Sequence, residues 1–326
     1  MQSVEASSKQ LSPEVPRTIR VGTRASTLAR TQTQWVVDCL RLQGLSVAIE
    51  TISTRGDDSQ NVPIAQVGGD GVFVRELERS LLEHRIDAAV HSLKDLPTAE
   101  TPGLTLACVP LRASPFDVLV SREHPTLESL PAGAVVGTSS IRRVTQVKAL
   151  RSDVVVRGIR GNVDTRLRRL DDGEYDCLVL AAAGLERLGL AHRISQVLRP
   201  DAFWPAVAQG ALVVQIRSDD QSLKSSLLSI DDLPSHLAVR AERSCLAALA
   251  GGCLAPIGAW ASQTADGSLA LGACVLEDLG DRVHRITASA FGPAAAPEEL
   301  GRIVAQHLQD SGADAMLARM RAQGSL

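Results

Sequence analysis

The sequence predicts an α/β protein with two similar α/β domains followed by a third, smaller α+β domain. Three observations support this fold class. Short apolar runs alternate with amphipathic helical segments, a Gly/Ser turn follows a strand at two corresponding places, and alternating apolar and polar residues appear near the C-terminus. With 326 residues, 44% of them hydrophobic, the chain is long enough for two or three domains.

The composition limits the classes of function. Aromatic residues make up only 2% of the chain, which argues against a stacking surface for single-stranded nucleic acid. The 34 basic and 37 acidic residues give a net charge of −3, so no global field attracts DNA or a membrane. Six cysteines without CxxC spacing favour reduced thiols over a zinc site or a disulfide scaffold. Any anion binding must therefore be local.

The N-terminus predicts a loose tail rather than a targeting segment. Residues 1–17 are polar, contain Pro13 and Pro16, and lack the apolar stretch of a signal peptide. No apolar run approaches the length of a membrane span. We therefore expect a flexible N-terminal tail and a cytoplasmic protein.

The first α/β unit begins with a strand at 18–21, a turn at 22–26 and an amphipathic helix. The free N–H groups at a helix start attract carboxylate or phosphate, and Arg24 adds a full positive charge there. The alternative is a capped helix with an exposed arginine. A second strand is predicted over Ser46–Ile52, and a helix over Val72–Arg85. This succession predicts a mainly parallel sheet flanked by helices.

The segment from His91 to Pro97 follows an apolar strand at 86–90. In open α/β sheets, ligands bind beyond the carboxyl ends of the strands, so Lys94 and Asp95 lie where chemistry is usually done. The alternative is a solvated ion pair on a surface turn. The rest of the chain decides between these two interpretations.

The pattern starts again after a crossing segment at 111–120. A strand at 134–136 leads to the turn Gly137-Thr138-Ser139-Ser140 and to a helix that opens with Arg142 and Arg143. This is an internal echo of the first unit. It predicts two α/β domains that face each other across a shared cleft, which is the plan of a two-lobed binding protein.

The second unit is strongly basic. Between residues 137 and 169 there are nine basic residues and two acidic ones, a local charge of +7. The guanidinium fork of arginine suits bidentate pairing with carboxylate or phosphate. A small, multiply anionic ligand is the natural interpretation. RNA is the alternative, but this region has no aromatic residue on which a base would stack.

The third unit begins near residue 229. A helix is predicted over 237–249, and Gly251-Gly252-Cys253 then places a cysteine on a turn. Alternating strands and a helix over 297–308 complete an α+β domain. The predicted division is a tail at 1–17, domain 1 at 18–112 plus about 207–228, domain 2 at 113–206 and domain 3 at 229–326.

Together these motifs resemble the porphobilinogen deaminase (hydroxymethylbilane synthase) family. The motifs occur in the family's order and spacing from about Ile19 to the C-terminal region. They are Gly22-Thr23-Arg24 with Ser26, Ser53 to Asp57, His91 to Pro97, Gly137 to Arg143, Arg160-Gly161-Asn162 with Thr165-Arg166, Ala183-Gly184-Leu185 with Arg187, Gln209-Gly210-Ala211 and Gly251-Gly252-Cys253.

The resemblance implies a transferase of tetrapyrrole, porphyrin and heme biosynthesis. Such an enzyme joins four porphobilinogen molecules head to tail with release of ammonia, and then hydrolyses the chain to hydroxymethylbilane. It implies three domains, two of them like periplasmic binding proteins, and a covalent dipyrromethane cofactor on Cys253 through a thioether. We expect a cytoplasmic monomer that needs no metal and has no nucleic-acid or membrane partner.

The resemblance also assigns roles to individual residues. Asp95 is expected to be catalytic, because its carboxylate can stabilise positive charge and carry a proton. Cofactor binding is expected of Cys253, Lys94, Arg142, Arg143, Thr138, Ser139, Ser140 and Asp57. Substrate binding is expected of Arg24, Ser26, Arg160, Arg166, Arg187, Phe73 and Gln209.

The chain departs from the family pattern in three places. Gln66 and Asp70 stand where many members have lysines, and Ala208 replaces a glycine that is usual before Gln-Gly. We assign no substrate binding to Gln66 or Asp70. The competing function is a two-lobed binding protein for a small polycarboxylate, which leaves Asp95 and the Gly-Gly-Cys turn unexplained. A cysteine hydrolase is weaker, because no His-Cys pairing is visible.

Overall fold

The structure is a computed structural model, and it describes residues 17–52, 72–250 and 255–322. In these ranges the strands are β1 Ile19–Thr23, β2 Val47–Thr51, β3 Ala88–Ser92, β4 Leu104–Cys108, β5 Asp117–Ser121, β6 Val135–Gly137, β7 Val155–Arg157, β8 Cys177–Ala181, β9 Gln196–Leu198, β10 Leu212–Arg217, β11 Ile257–Gln263, β12 Leu269–Asp278 and β13 Val283–Gly292. The α-helices are α1 Thr27–Leu42, α2 Val72–Leu82, α3 Ile141–Leu150, α4 Val163–Asp171, α5 Ala182–Arg187, α6 Gln221–Leu227, α7 Leu233–Ala248, α8 Pro297–Asp310 and α9 Ala313–Ala322.

The first sheet has the strand order β2-β1-β3-β10-β4. Strand β1 runs parallel to β2 and β3, whereas β10 runs antiparallel to β3 and β4. The sequence predicts a mainly parallel sheet, but this sheet is mixed, because β10 enters it only after the chain has built the second sheet. Helix α1 covers one face with the buried Val36, Val37 and Leu40. Apolar burial of this kind holds the layers together.

The second sheet repeats the plan of the first. Its order is β7-β6-β8-β5-β9, with β6 parallel to β7 and β8, and β5 antiparallel to β8 and β9. Strand by strand, β5 therefore corresponds to β10, and both directly follow a segment that crosses between the sheets. The internal echo in the sequence reflects this duplicated α/β plan.

The third sheet is small and antiparallel, in the order β11-β12-β13. Helices α7 and α8 pack together against it. Its core extends into the first sheet's unit, where Leu93 and Leu96 are 1% and 5% exposed. The predicted fold class, two similar α/β domains and a smaller α+β domain, is confirmed. The exact domain boundaries stay a prediction, which the position of β10 in the first sheet supports.

Several elements differ from their predicted bounds for local reasons. Helix α7 begins at Leu233, four residues early, because the Asp232 side chain accepts a hydrogen bond from the Ser235 N–H and caps the first turn. Helix α2 ends at Leu82, short of Arg85, because His84 has a φ of 56° and leaves the helical region. Strands β4, β5 and β9 and helices α5, α6 and α9 were not predicted, and β5 overlaps the end of the crossing segment predicted at 111–120.

Trp204 joins the second and third sheets. Its side chain packs against strands β11 and β12. A Cβ at Gly258 would come within 2.5 Å of the Trp204 side chain, and a Cβ at Gly272 within 2.4 Å. The Trp204 carbonyl accepts hydrogen bonds from Arg142 and from the Gln146 Nε2 at 3.0 Å. The glycines therefore make room for a residue that also orients an arginine of the second unit.

No helix in the described ranges is both long enough and apolar enough to cross a membrane.

Replacing Gly272 with alanine is expected to destabilise the protein. The added methyl group would overlap the Trp204 ring, and overpacking of this kind costs about 1–3 kcal/mol. Urea unfolding of Gly272→Ala measures this loss. The control is Gly292→Ala, where the nearest atoms lie at 3.4 Å. Equal unfolding free energies for both variants would contradict the role of the glycine at position 272.

Candidate active site

Polar side chains follow the carboxyl ends of the parallel strands in both sheets. Arg24 follows β1, and Lys94 and Asp95 follow β3 on a short 3-10 turn. Arg142 opens the helix after β6, and Arg187 lies on the helix after β8. Because parallel strands end at the same edge of a sheet, these side chains lie at one edge in each unit.

The turn that carries Lys94 and Asp95 is held in place by apolar side chains packed in the core. Leu93 and Leu96, on either side of the pair, are buried in the core shared with the third sheet. Asp95 is exposed, and Lys94 is half-buried. The apolar anchors fix the backbone of the turn while leaving the Asp95 carboxylate accessible to a ligand.

Asp117, the first residue of β5, binds two adjacent arginines. One carboxylate oxygen accepts from the Arg143 Nε at 2.9 Å, and the other accepts from the Arg142 guanidinium at 2.7 Å. The carboxylate is completely buried, and the arginines are 4% and 7% exposed. Charge-assisted bonds of this type are the strong ones in proteins. This pairing fixes both guanidinium groups.

The electrostatics of Asp117 follow from that pairing. Burial alone would raise the pKa of Asp117, but Arg142 and Arg143 outweigh it and lower the pKa to about 2. Sequence reasoning missed this residue. The available signal was a carboxylate at the start of an otherwise apolar strand, where a buried charge requires a partner.

Gln209 joins the two units through its side chain. Its Oε1 accepts from Lys94 Nζ at 3.3 Å and from Arg143 at 3.4 Å. Its Nε2 donates to the Pro115 carbonyl at 2.8 Å and to Asp117 at 3.0 Å. Gln209 is completely buried. The structure thus brings Lys94, Arg143 and Gln209 together.

A second buried ion pair supports the backbone at Gln209. Arg112 donates to the Gln209 carbonyl at 2.9 Å and to Glu242 of α7 at 2.6 Å. Glu242 also accepts the N–H groups of Ala208 at 2.6 Å and Ala261 at 2.8 Å. The crossing segment is therefore tied to the third unit as well. Sequence reasoning missed this pair, which no motif marks.

Lys94, Arg142, Arg143, Arg166 and Arg187 form what we call the cationic site. Protein atoms surround the Lys94 ammonium closely, and this burial lowers the pKa of Lys94 to about 8. Burial, with a smaller effect from the charge of Arg143, lowers the pKa of Arg166 to about 10. Burial also lowers the pKa of Arg187 to about 10. For these three groups, burial outweighs any attraction from nearby carboxylates of the described residues.

Arg166 and Arg187 are oriented by carbonyl groups. The Arg166 Nε donates to the Gly161 carbonyl at 2.8 Å, and Arg187 donates to the Gly210 carbonyl at 2.7 Å. Both side chains are half-buried. Arg187 of the second unit thus contacts the crossing segment beside Gln209.

The predicted serine and threonine residues make local bonds. Thr138 is buried, and its Oγ1 accepts from the Ser140 N–H at 3.3 Å. The Ser139 Oγ donates to the Ile159 carbonyl at 2.8 Å and accepts the Ile159 N–H at 2.9 Å. Ser26 accepts the Ala29 N–H at 3.3 Å and caps α1. These bonds order the loops that carry the arginines.

Arg24 and Arg160 are the two predicted arginines outside the cationic site. The charge of Arg24 helps to lower the pKa of His91 to about 4, although burial of His91 is the larger cause. Arg24 is therefore near the end of β3. Arg160 is exposed on the loop before α4. Asp57, Cys253, Gln66 and Asp70, and the side chain of Phe73, lie outside the described residues.

The residues present fit a group that carries carboxylates. The cationic site contains five cations, and the acidic groups of the described residues that influence Lys94 include Asp95 and Asp117. A dipyrromethane bears acetate and propionate side chains, which guanidinium and ammonium donors bind well. In the described ranges, no cluster of three or more His, Cys, Asp or Glu residues is arranged to hold a metal ion.

Comparison with known proteins identifies the family. Residues 19–225 match the family model "Porphobilinogen deaminase, dipyromethane cofactor binding domain", and residues 236–310 match "Porphobilinogen deaminase, C-terminal domain". The porphobilinogen deaminase of Roseiflexus sp. (strain RS-1) is 46% identical over 305 residues, covering 93% of this chain and 99% of the relative. That of Desulforudis audaxviator is 47% identical over 308 residues, covering 94% and 99%.

The solved structures that resemble this chain include an ABC transporter periplasmic substrate-binding protein from Coxiella burnetii. Its TM-score is 0.42 at 17% identity, covering 69% of this chain and 96% of that one. The fold and the cationic site define a two-lobed α/β protein with a third domain. More particularly, the chain belongs to the porphobilinogen deaminase family. The binding-protein alternative is not supported, because the family models and these relatives are porphobilinogen deaminases.

Replacing Asp117 with asparagine is expected to reduce the loss of unfolding free energy that occurs as the pH falls below about 4. The folded-state pKa of Asp117 lies below its unfolded value, so its contribution is fully present above about pH 4 and is lost as pH falls towards 2. A shift of this size corresponds to about 2 kcal/mol. Urea unfolding of wild type and Asp117→Asn at several pH values from 2 to 7 measures the difference.

The same substitution also lowers stability at neutral pH, because it leaves two buried guanidinium groups without their anion; the cost is about 3–5 kcal/mol. Asp153→Asn is the control, since Asp153 pairs with Arg151 at the surface. An Asp117→Asn protein with wild-type stability at pH 7 would contradict the central role of this carboxylate.

Proposed function

We propose that this protein is an active hydroxymethylbilane synthase. It condenses four porphobilinogen molecules head to tail, releases one ammonia in each condensation, and hydrolyses the product to hydroxymethylbilane. The observation that carries this proposal is the cationic site beside an accessible Asp95, in a chain of the porphobilinogen deaminase family. Incubation of the purified protein with porphobilinogen, followed by assay of hydroxymethylbilane and ammonia, tests it directly.

The cationic site has the charge that the substrate requires. Porphobilinogen carries an acetate and a propionate group, so the product gains two carboxylates with every added unit. Guanidinium and ammonium groups bind such anions through charge-assisted hydrogen bonds, and more strongly where partial burial limits competition from water. In our proposal Arg24, Arg160, Arg166 and Arg187 bind substrate carboxylates.

The dipyrromethane supplies, when bound, the primer from which the pyrrole chain grows. We propose that Cys253 holds it through a thioether. Lys94, Arg142 and Arg143 would bind its carboxylates, supported by Thr138, Ser139 and Ser140 as hydrogen-bonding neighbours. We leave Asp57 and Phe73 in their predicted roles of cofactor and substrate binding.

Asp95 has the properties of the catalytic carboxylate. It is exposed at the edge of the cationic site, on a turn whose backbone is fixed by two buried leucines. Loss of ammonia leaves an electron-deficient carbon, and attack by the next pyrrole creates positive charge. A carboxylate at that place stabilises the cation and accepts the pyrrole proton on an oxygen.

In the cell, we propose that the enzyme acts as a cytoplasmic monomer in tetrapyrrole biosynthesis. The scattered cysteines support a reducing compartment. Five of them are free thiols in the described residues, and four of those five are buried.

Replacing Asp95 with asparagine is expected to lower kcat by roughly 10²–10⁴-fold, because the amide can neither balance the cation nor accept the proton. The fold should persist, since Asp95 is exposed. Steady-state kinetics and thermal unfolding measure the two effects. The control is Asp219→Asn. The start of β10 pairs with the end of β3 beside the catalytic turn, whereas Asp219 lies in the loop after the far end of β10. Wild-type turnover in Asp95→Asn would refute the catalytic assignment.

Replacing Cys253 with serine is expected to abolish the covalent adduct, because a hydroxyl is a far weaker nucleophile than a thiolate. Intact mass spectrometry of denatured protein should show wild type heavier by one dipyrromethane and Cys253→Ser at the mass of the bare chain. Cys39→Ser is the control and should keep the adduct. An adduct retained in Cys253→Ser would place the attachment at another residue.

A further inference from the structure

We propose that Gln209 is a positioning residue that holds Lys94 at a set distance from Arg143. The cations of the two α/β units then act as one receptor for the carboxylates of a single pyrrole ligand. This inference rests on the proposed function, and it gives Gln209 a role through Lys94 and Arg143 in place of direct substrate contact.

The amide of Gln209 is completely used by the protein. A glutamine amide offers two N–H donors and two acceptor positions. Here the donors bind Pro115 and Asp117, and the Oε1 accepts from Lys94 and Arg143. The carboxylate of Asp117 can only accept, and the two cations can only donate, so the amide has one orientation. With no hydrogen-bonding position left over, the side chain is suited to holding its neighbours.

The backbone gives Gln209 a fixed position. Ala208 and Gly210, on either side, both have positive φ values of 58° and 85°. A Cβ at Gly210 would come within 2.6 Å of the carbonyl oxygens of Ala113 and Ser114, so the two crossing segments touch there. Ala208 is a non-glycine residue with a positive φ, a conformation that is costly and persists only where the surroundings enforce it. Arg112 and Glu242 supply that enforcement.

Gln209 lies between two positive charges, those of Lys94 and Arg143. Lys94 belongs to the first sheet's unit and Arg143 to the second, and both donate to the same oxygen. Two cations so close repel each other, and the carbonyl dipole of the amide attracts both. Without that dipole the two cations would lose an attraction that they share, and the flexible lysine stem would allow the ammonium to shift. The spacing between the two cations would then vary.

A double-mutant cycle on the cofactor-loaded enzyme tests this coupling. Gln209→Met keeps the size of the side chain and removes its hydrogen bonds. Losing a hydrogen bond to a charged group should lower kcat/KM for porphobilinogen roughly 10- to 100-fold in the wild-type background. In a Lys94→Met background the same change should cost less than about 3-fold, because the ammonium to be positioned is already gone. Additive losses would overturn the proposal.

The matched control is Gln215→Met. Gln215 is also buried and lies on β10, the strand that follows Gln209. Its Nε2 donates to Glu78 at 3.0 Å, away from Lys94. Its effect on kcat/KM should be small and additive with Lys94→Met, and thermal unfolding should show that both glutamine variants fold. Equal coupling of Gln215 and Gln209 to Lys94 would indicate a general loss of packing and would also overturn the proposal.

A second readout needs no activity. Competitive labelling with trace acetic anhydride across pH, followed by peptide mass spectrometry, measures the pKa of the Lys94 amine, with Lys148 and Lys224 as internal references. In the described part of the chain, the charged groups that influence Lys94 include Asp95, Asp117, Arg142 and Arg143, and none of them changes in the variants. Gln209→Met should lower the pKa of Lys94, because the ammonium loses an acceptor, and Gln215→Met should not.

The outcomes separate this inference from the proposed function. A wild-type protein without deaminase activity would refute the function, and the labelling experiment would still decide whether Gln209 positions Lys94. An active wild type with an unchanged Lys94 pKa in Gln209→Met would refute the positioning role alone.

Discussion

The site depends on one buried carboxylate. Asp117 binds two guanidinium groups that have almost no contact with water, and it keeps its negative charge because both are present. Removing a charge from water is costly, and a pair of cations in this place would be unstable without an anion. One carboxylate for two arginines leaves an excess of positive charge. The interaction therefore stabilises the fold and preserves the attraction for an anionic ligand.

The duplicated plan of the sheets explains why the site forms where it does. Strands β5 and β10 correspond to each other, and each directly follows a segment that crosses between the sheets. Asp117 opens β5, and Gln209 lies just before β10, so the two crossings place an anion and an amide side by side. The Arg112–Glu242 pair ties this junction to the third unit. A substitution in either crossing segment therefore affects contacts of all three units.

Much of the fold and the site could be predicted from the sequence. The repeated Gly/Ser turn revealed the duplication, and the charged pair after β3 marked Lys94 and Asp95, because polar residues at strand ends are local signals. The antiparallel direction of β10 was not predictable, since it depends on a return from another unit. Asp117 and Glu242 were also missed. Their partners lie 25 and 130 residues away, and no spacing rule connects them.

The protein uses two kinds of acceptor to orient its arginines, and the choice determines the charge of the site. In the deepest layer a carboxylate is required, because a bare guanidinium there would be too costly to bury. Arg166 and Arg187, which we propose bind the ligand, are held by the carbonyl groups of Gly161 and Gly210. A carbonyl fixes the direction of a guanidinium without neutralising it. These arginines therefore stay available, in charge and in geometry, for carboxylates that arrive from outside.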